Sequence, residues 1–357
     1  MNLKIDHRLG VTNVKYFNNF VVNLKHDSVA STFAFRIYFD HLNREHAETI
    51  CISHFHEAIL EHNGEKLITG YILSNTLKRN NQKQLVEIAG YSKPGQFEDC
   101  QIPPELYPLE KSGLSLAEIV RQLATYFKLK VVIEPEVADI MNAAIDKTTA
   151  SNTQTIKDYL TELCIQRHVI MTHDENGAIV FTREKGKREP IAHFEDGMPA
   201  TEIMVSFNGQ AIHSQITVVK QADEDEGNAG EYTIKNPYCP IIKRPKVITQ
   251  TSGTDVTTQE FARQALAEEL KNVKCVISID RWDINSKIIR PRSVVSVKSP
   301  ENYLYNKVNF FVEDIEYTGD NEKMTAKITC VPEAVYNNEE VKNIFVDAHE
   351  NWGRVKK

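Results

Sequence analysis

Histidine spacing offers the nearest approach to reactive chemistry in this sequence of 357 residues. His54 and His56 stand two positions apart, so on a strand they share one face, and with His62 nearby they invite comparison with a metal-binding trio. His56 and Glu57 also begin like a metalloprotease helix, in which His-Glu-x-x-His places two imidazoles one turn apart with a glutamate base between them. The second ligand position is Leu60, so the motif fails at a residue the chemistry needs. Spacing supplies no third ligand, and ordinary strand histidines are the expectation. His168 and His173 flank an apolar run and have no cysteine or carboxylate at ligand spacing. The sequence also lacks a Gly-x-Ser-x-Gly elbow, a phosphate loop with its lysine and a Gly-x-Gly-x-x-Gly turn after a strand. No catalytic, cofactor-binding or metal-binding residue is therefore expected, and no cofactor.

Paired carboxylates such as Glu98 with Asp99 and Glu313 with Asp314 raise the thought of a glycosidase, which needs two carboxyls across a cleft. With 49 Asp and Glu residues such neighbours arise by chance, and a solvated surface is the simpler reading. Two basic clusters remain, Arg183 with Lys185, Lys187 and Arg188, and Lys243 with Arg244 and Lys246. Neither is interleaved with the aromatic residues that stack on single-stranded bases, so each is expected in a solvated loop or a charged protein contact. A formal net charge of −7 points the same way, because nucleic-acid binders replace phosphate counterions with a basic excess. Specific nucleic-acid binding is not expected.

The six cysteines are dispersed, with no Cys-x-x-Cys pair and no secretory leader pattern in residues 1–10, so reduced thiols in a cytoplasm are the expectation. No window approaches the roughly 18 uninterrupted apolar residues of a membrane span. The composition is 41% hydrophobic and 25% charged, that of a folded chain. Its length suits about two to four compact units at roughly 100–200 residues each.

The elements that must position any site read as follows. Strand patterns occupy residues 14–24, 32–39, 55–62, 66–77 and 84–90, with Asn63–Gly64 as a type I′ hairpin signal. Imperfect alternation is visible in Leu67, Thr69, Tyr71 and Leu73, where one side should face a core. The period then changes to 3.6: Ser115 and Glu118 form a capping-box pattern, with Leu116, Ile119, Val120, Leu123 and Phe127 on one face. A strand at 130–133 follows and Pro135 ends it. A second helix bears Ile156, Tyr159, Leu160, Leu163 and Cys164, before a strand at 169–172, a turn at Glu175, Asn176 and Gly177, and a strand at 178–182. Each helix-and-strand unit is too small to bury its own apolar face, so the two should pack together. Strand signals return at 202–207, 214–221, 274–279, 293–299, 307–318 and 323–331. One helix interrupts them, capped by Thr257 and Glu260, with Phe261, Ala265, Leu266 and Leu270 on one face. The acidic stretch from Asp223 to Gly230 reads as an exposed loop. Val341, Ile344, Phe345, Ala348 and Trp352 fall at helical spacing, and such a helix either docks on a partner or packs back on its own domain.

The fold class expected is α+β, mainly β: two similar antiparallel β-barrel domains flanking a small mixed α/β insert. The divisions are 1–100 for the first barrel, 101–192 for the insert, 193–335 for the second barrel with one helix, and 336–357 for a C-terminal helical tail.

Several segments resemble one family. Gly70–Tyr71–Ile72, then Glu87–Ile88–Ala89–Gly90–Tyr91–Ser92 and Phe97–Glu98–Asp99–Cys100, look like the end of the first barrel in the baseplate hub proteins of contractile phage tails, the phage Mu type related to the T4 hub. Leu114–Ser115–Leu116, Asp158–Tyr159–Leu160, Asp174–Glu175–Asn176–Gly177 and the stretch from Ser206 to Gln221 are similar, in kind and order, to that family's middle and second-barrel segments. The likeness runs from about Val14 to Tyr336, with the Asp223 to Gly230 loop and the tail after Tyr336 unplaced. It implies a non-enzymatic homotrimer whose paired barrels give a ring of six positions, joining a hexameric tail tube protein to a trimeric central spike protein. Tail DNA would pass through the ring. Membrane insertion is not implied, and the location would be the virion tail baseplate, assembled in the bacterial host cytoplasm. A reading from another class is a tail-associated cell-wall glycan hydrolase or carbohydrate-binding tail module.

Overall fold

The computed structural model describes residues 1–79, 84–184, 188–197, 199–220, 230–250, 257–284, 287–320, 322–337 and 340–345. The chain is α+β and mainly β. It divides into two compact units, one of Met1–Arg183 with Glu316–Met324, the other of Glu184–Ile315 with Thr325–Lys357.

The first unit opens with strands β1 (Asn2–His7), β2 (Gly10–Val14), β3 (Asn19–Lys25) and β4 (Thr32–Tyr38), the short helix α1 (Arg44–Thr49), then β5 (Glu57–His62), β6 (Glu65–Arg79) and β7 (Gln84–Ser92). They pair in the order β2–β1–β5–β6–β7–β4–β3, antiparallel throughout. Strict alternation in β3 buries Phe20, Val22 and Leu24, and the same period in β4 buries Phe33, Phe35 and Ile37. The β5–β6 turn has positive φ at both Asn63 (50°) and Gly64 (86°), the requirement of a type I′ hairpin. In β6 burial is found on both faces. Ile68 and Ile72 are buried on one face, while on the other Leu67 and Thr69 are buried and Leu73 is exposed. Thr69 Oγ1 donates to the Glu175 carbonyl at 2.8 Å, so the second face is covered locally by the insert's turn.

The insert contains α2 (Gln96–Asp99), β8 (Glu110–Ser112), α3 (Leu116–Tyr126), β9 (Val131–Ile133), α4 (Ala138–Asn142), β10 (Lys147–Thr149), α5 (Ile156–Gln166), β11 (Ile170–His173) and β12 (Ile179–Thr182). Ser115 and Glu118 form the full capping box of α3, and Thr155 caps α5 through the Asp158 amide. The apolar faces of α3 and α5 share one core with Phe97, Met171, Ile179 and Phe181. The two helix-and-strand units are joined by backbone as well: β12 pairs antiparallel with β11 and parallel with β9.

In the second unit β13 (Ala192–Glu195), β14 (Glu202–Phe207), β15 (Gln215–Lys220), β16 (Gly230–Lys235) and β17 (Pro245–Gln250) precede helix α6 (Thr258–Leu270). Then come β18 (Val273–Ile279), β19 (Asp283–Ile284), β20 (Lys287–Ile288), β21 (Val294–Ser299), β22 (Leu304–Gly319) and β23 (Met324–Pro332), the end of β22 from Glu316 and the first residue of β23 belonging to the first unit. Antiparallel pairs β14–β18, β18–β23 and β21–β22 form the ladder, with β13 added parallel to β21, while β15 pairs antiparallel with β16 and parallel with β17 in a separate three-stranded sheet. Helix α6 packs on β15 and β16. Its buried face holds Ala262, Leu266, Glu269 and Leu270, with Phe261 only half-buried, and the Glu269 carboxylate on that face is met by His213 and Lys246.

The stretch expected to be a C-terminal helix is non-helical over its described residues 340–345. Val341, Ile344 and Phe345 instead pack on Ile212, Tyr238 and Leu270. Asn343 explains the geometry: its side chain accepts from the Phe345 amide at 2.9 Å and donates to the Pro237 carbonyl at 3.2 Å, turning the chain where a helix would have continued. Residues 346–357, and the loop from Asp223 as far as Ala229, lie outside the described residues.

A close approach of β6 and β7 yields a stability test. A Cβ on Gly90 would stand 1.9 Å from the Tyr71 carbonyl oxygen and 2.7 Å from the Phe33 ring, whereas one on Gly64 meets nothing within 4 Å. Gly90→Ala is expected to lower unfolding free energy by about 3 kcal/mol and Gly64→Ala, which suffers only its positive φ, by about 1 kcal/mol. Urea unfolding midpoints check the ranking.

Candidate functional site

His54 and His56 precede β5 rather than lying on it, since the strand begins at Glu57 and Phe55 between them has φ 49°. They therefore do not share a strand face. His54 Nε2 lies 3.6 Å from Cys51 Sγ, and His56 Nε2 donates to the Glu48 carbonyl at 2.9 Å. His7 joins them, its ring 6.0 Å from that of His56. Both nitrogens of His7 are engaged: Nε2 donates to Thr12 Oγ1 at 2.7 Å and Nδ1 accepts from the Leu9 amide. Burial, with the nearby His54 and His7, holds the His56 pKa below its ordinary value. His62 is buried at the end of β5. Among the described residues no group of three His, Cys, Asp or Glu side chains could hold a metal ion.

His173 has a different part. Nδ1 donates to the Ser28 carbonyl at 3.0 Å and Nε2 accepts from the Ser31 hydroxyl at 2.7 Å, an arrangement satisfied by the neutral ring. Beside it, Thr69 holds the Glu175 carbonyl and Lys66 Nζ reaches Asn176 Oδ1 at 3.3 Å. The turn predicted at Glu175–Asn176–Gly177 is thus keyed to the first sheet, with Gly177 at φ 79° and only 3.1 Å available for a Cβ before Lys93 and the Thr69 carbonyl. His168 sits after α5 with φ 55°, and its carbonyl accepts from Arg183 Nε at 2.7 Å.

The carboxylates are occupied by structural partners. Glu98 takes the Lys157 ammonium at 2.9 Å, and burial together with a hydrogen bond to Asp99 raises the Tyr91 pKa. Glu313 is buried and accepts from the Tyr336 hydroxyl at 2.7 Å. In the second unit a cavity of about 10 Å³, room for about one water, is lined by Glu184, Arg188, Glu333 and Tyr336. Its acids are committed: Glu184 pairs with Arg188 and with Arg292, the latter at 2.7 Å, and Glu333 accepts from the Arg188 amide. A sugar ring does not fit such a space.

Among the described residues the arginines of the basic clusters are held by backbone carbonyls and carboxylates. Arg183 donates to the carbonyls of Arg167 and His168, and Arg244 to those of Gly209 and Gln210. Lys246 joins Glu269 at 3.2 Å, leaving Lys243 exposed, while Lys185 and Lys187 lie outside the described residues. Sequence reading missed Glu184 and Glu269 as buried carboxylates and Arg292 as the partner of the first, because nothing in their local pattern separates them from surface charge.

With side chains absorbed into loop clamps, likeness to known proteins falls on the arrangement of elements. Residues 95–183 match the family described as "Baseplate hub protein gp44-like, second domain". The resemblance is to baseplate hub proteins. The fold is also that of the 43 kDa tail protein of prophage MuSo2 from Shewanella oneidensis, at 16% identity over 94% of this chain and 99% of that one, TM-score 0.75. A tail protein from Neisseria meningitidis MC58 is similar at 15% identity, over 94% and 97% of the two chains, TM-score 0.75. The E. coli c3393 protein, a type VI secretion component described as structurally similar to the T4 tail proteins gp27 and gp5, gives 9% identity over 96% of this chain and 80% of that chain, TM-score 0.57. Among curated proteins none is detectably similar in sequence.

Two expectations follow from the buried polar groups. Burial lowers the His173 pKa below the ordinary 6.5, so the unfolded chain takes up the proton first. The stabilising contribution is complete above about pH 6.5 and is lost as pH falls below it, by at most about 1.4 kcal/mol per pH unit. Urea titrations on either side of that pH are expected to show a smaller loss in His173→Gln than in the parent protein. Separately, Glu184→Leu leaves Arg292 and Arg188, both partly exposed, without their buried carboxylate and is expected to cost about 2 kcal/mol, read from the shift in the denaturation midpoint.

Proposed function

We propose that this protein is a structural hub of a phage tail baseplate, a homotrimer in which two β-rich halves per chain supply six similar positions. The observation that carries the reading is the shared fold: 94% of the chain follows the MuSo2 tail protein, and the match to a hub-family second domain falls at residues 95–183. In this reading 1–100 and 193–335 are the barrel domains, 101–192 the insert between them and 336–357 the tail. Three chains then present a sixfold surface to the hexameric tail tube and a threefold one to the central spike, so the function is symmetry matching. The site of action is the virion tail baseplate, reached after assembly in the host cytoplasm.

The physical support lies in the strand-rich construction. Sheet edges carry unpaired N–H and C=O groups, and joining edge to edge around a closed ring covers them. An assembly of this kind is obligate, without a stable free subunit at working concentrations. Multi-angle light scattering of the purified chain at micromolar concentration is expected to give the mass of a trimer, and images averaged without imposed symmetry to show a threefold ring with six similar lobes. A folded monomer at that concentration overturns the proposal.

A further inference from the structure

Cys275 and Cys330 stand directly opposite each other on β18 and β23, as one end pair of that antiparallel ladder. Directly opposed residues project from the same face of a sheet. Both side chains are fully buried. Opposed Cα atoms in an antiparallel pair lie about 4.5 or 5.5 Å apart according to the hydrogen-bonding phase, and both values fall within the roughly 4.4–6.8 Å that a disulfide bridges. The register alone therefore brings these two cysteines within bonding reach, and both occur as free thiols.

Their place in the ladder matters. The pairing runs from Cys275 with Cys330 to Ile279 with Ala326, so the cysteines occupy its boundary. Beyond Cys330, Pro332 closes the strand and has no N–H to extend the pairing. Cys275 itself lies inside β18 and is paired on its other edge with Val205 of β14, so the sheet holds the two cysteines in register.

We propose that Cys275 and Cys330 are a cross-strand dithiol that closes to a disulfide within the folded protein on exposure to a peroxide. One thiol, as thiolate, attacks the peroxide O–O bond. An S–O bond forms, the O–O bond breaks, and the leaving hydroxide takes up the thiol's proton as water. The opposed sulfur then attacks this sulfenic sulfur, forming S–S and expelling the hydroxyl, which leaves as water with the second thiol's proton. The two sulfurs together lose two electrons and the peroxide gains them.

Burial pushes the Cys275 thiol up to about 12, and burial together with Cys275 and Glu313 pushes Cys330 well above its ordinary value. Both thiols are thus held in the neutral form, and closure is slow. The same burial keeps reducing thiols from the closed bond, so the device works as a lasting lock between β18 and β23 and not as a rapid sensor.

The test exposes the folded, full-length protein to hydrogen peroxide, quenches with catalase, denatures, alkylates the remaining thiols and maps peptides by mass spectrometry. The expected result is a linked peptide joining Cys275 to Cys330, lighter by two hydrogens than the sum of the reduced peptides and released by dithiothreitol. Cys275→Ser and Cys330→Ser each remove it. Recovery of both positions as alkylated thiols after prolonged exposure overturns the proposal, as does pairing of either with another cysteine or their conversion to unlinked sulfinic acids. The parent protein alone decides the matter if the variants do not fold.

Discussion

The first unit depends on how closely two strands can approach. Each of Gly70 and Gly90 would place a Cβ 1.9 Å from a carbonyl oxygen of the other strand, of Tyr91 and Tyr71 respectively. No side chain fits there, so glycine is required by contact and not by turn geometry. The register shifts by a bulge between Ile72 and Ser74, just past this point, which increases local twist and bends the sheet. Immediately after β7 the chain turns through Lys93–Gly95 into α2 and enters the insert, whose core takes in Phe97. Constraint in a strand pair thus fixes where the next subdomain begins.

The insert's attachment follows from that geometry. Thr69 lies one residue before Gly70, and it receives the insert's turn through the Glu175 carbonyl. His173, four residues before Gly177, closes a second contact to Ser28 and Ser31, and Ser31 also accepts from the Lys25 amide. Protonating His173 Nε2 would turn an acceptor into a donor facing a hydroxyl already committed to it. Because these bonds are buried, a mismatched group has no water to turn to, which makes polar keys of this kind more selective than apolar packing.

Much of the fold was legible in the sequence where local chemistry and tertiary environment agree. The capping boxes at Ser115 and Thr257 and the positive-φ hairpin at Asn63–Gly64 are set by residues within four positions of one another, and the structure contains them. Strands with a pronounced apolar pattern, such as Glu202–Phe207 and Val273–Ile279, were also readable. By contrast β1, β16 and β17 carry mixed patterns, and the pairings of β1 with β5 and of β15, in parallel, with β17 skip intervening elements and have no local signature. The C-terminal spacing of Val341, Ile344 and Phe345 was true to burial but wrong as to helix, since an apolar period of three and four also fits a turn laid over a pocket edge. The histidine spacing misled for a related reason: a left-handed residue at Phe55 breaks the alternation on which a shared strand face depends.

Charge patterns were the least legible feature, and the arginines show why. A cluster such as Lys243, Arg244 and Lys246 reads as surface because the sequence records charge but not the acceptors around it. In the fold, Arg244 meets two successive carbonyls, of Gly209 and Gln210, and Arg183 does the same with those of Arg167 and His168. A planar guanidinium with five donors suits adjacent backbone carbonyls at the end of a turn, where C=O groups converge with lone pairs to spare. Such clamps need only that a loop place its carbonyls within reach. Their positions are dictated by the backbone path, which itself follows from distant packing, and this is why an arrangement of elements persists at 16% identity while the charged residues give no motif to search for.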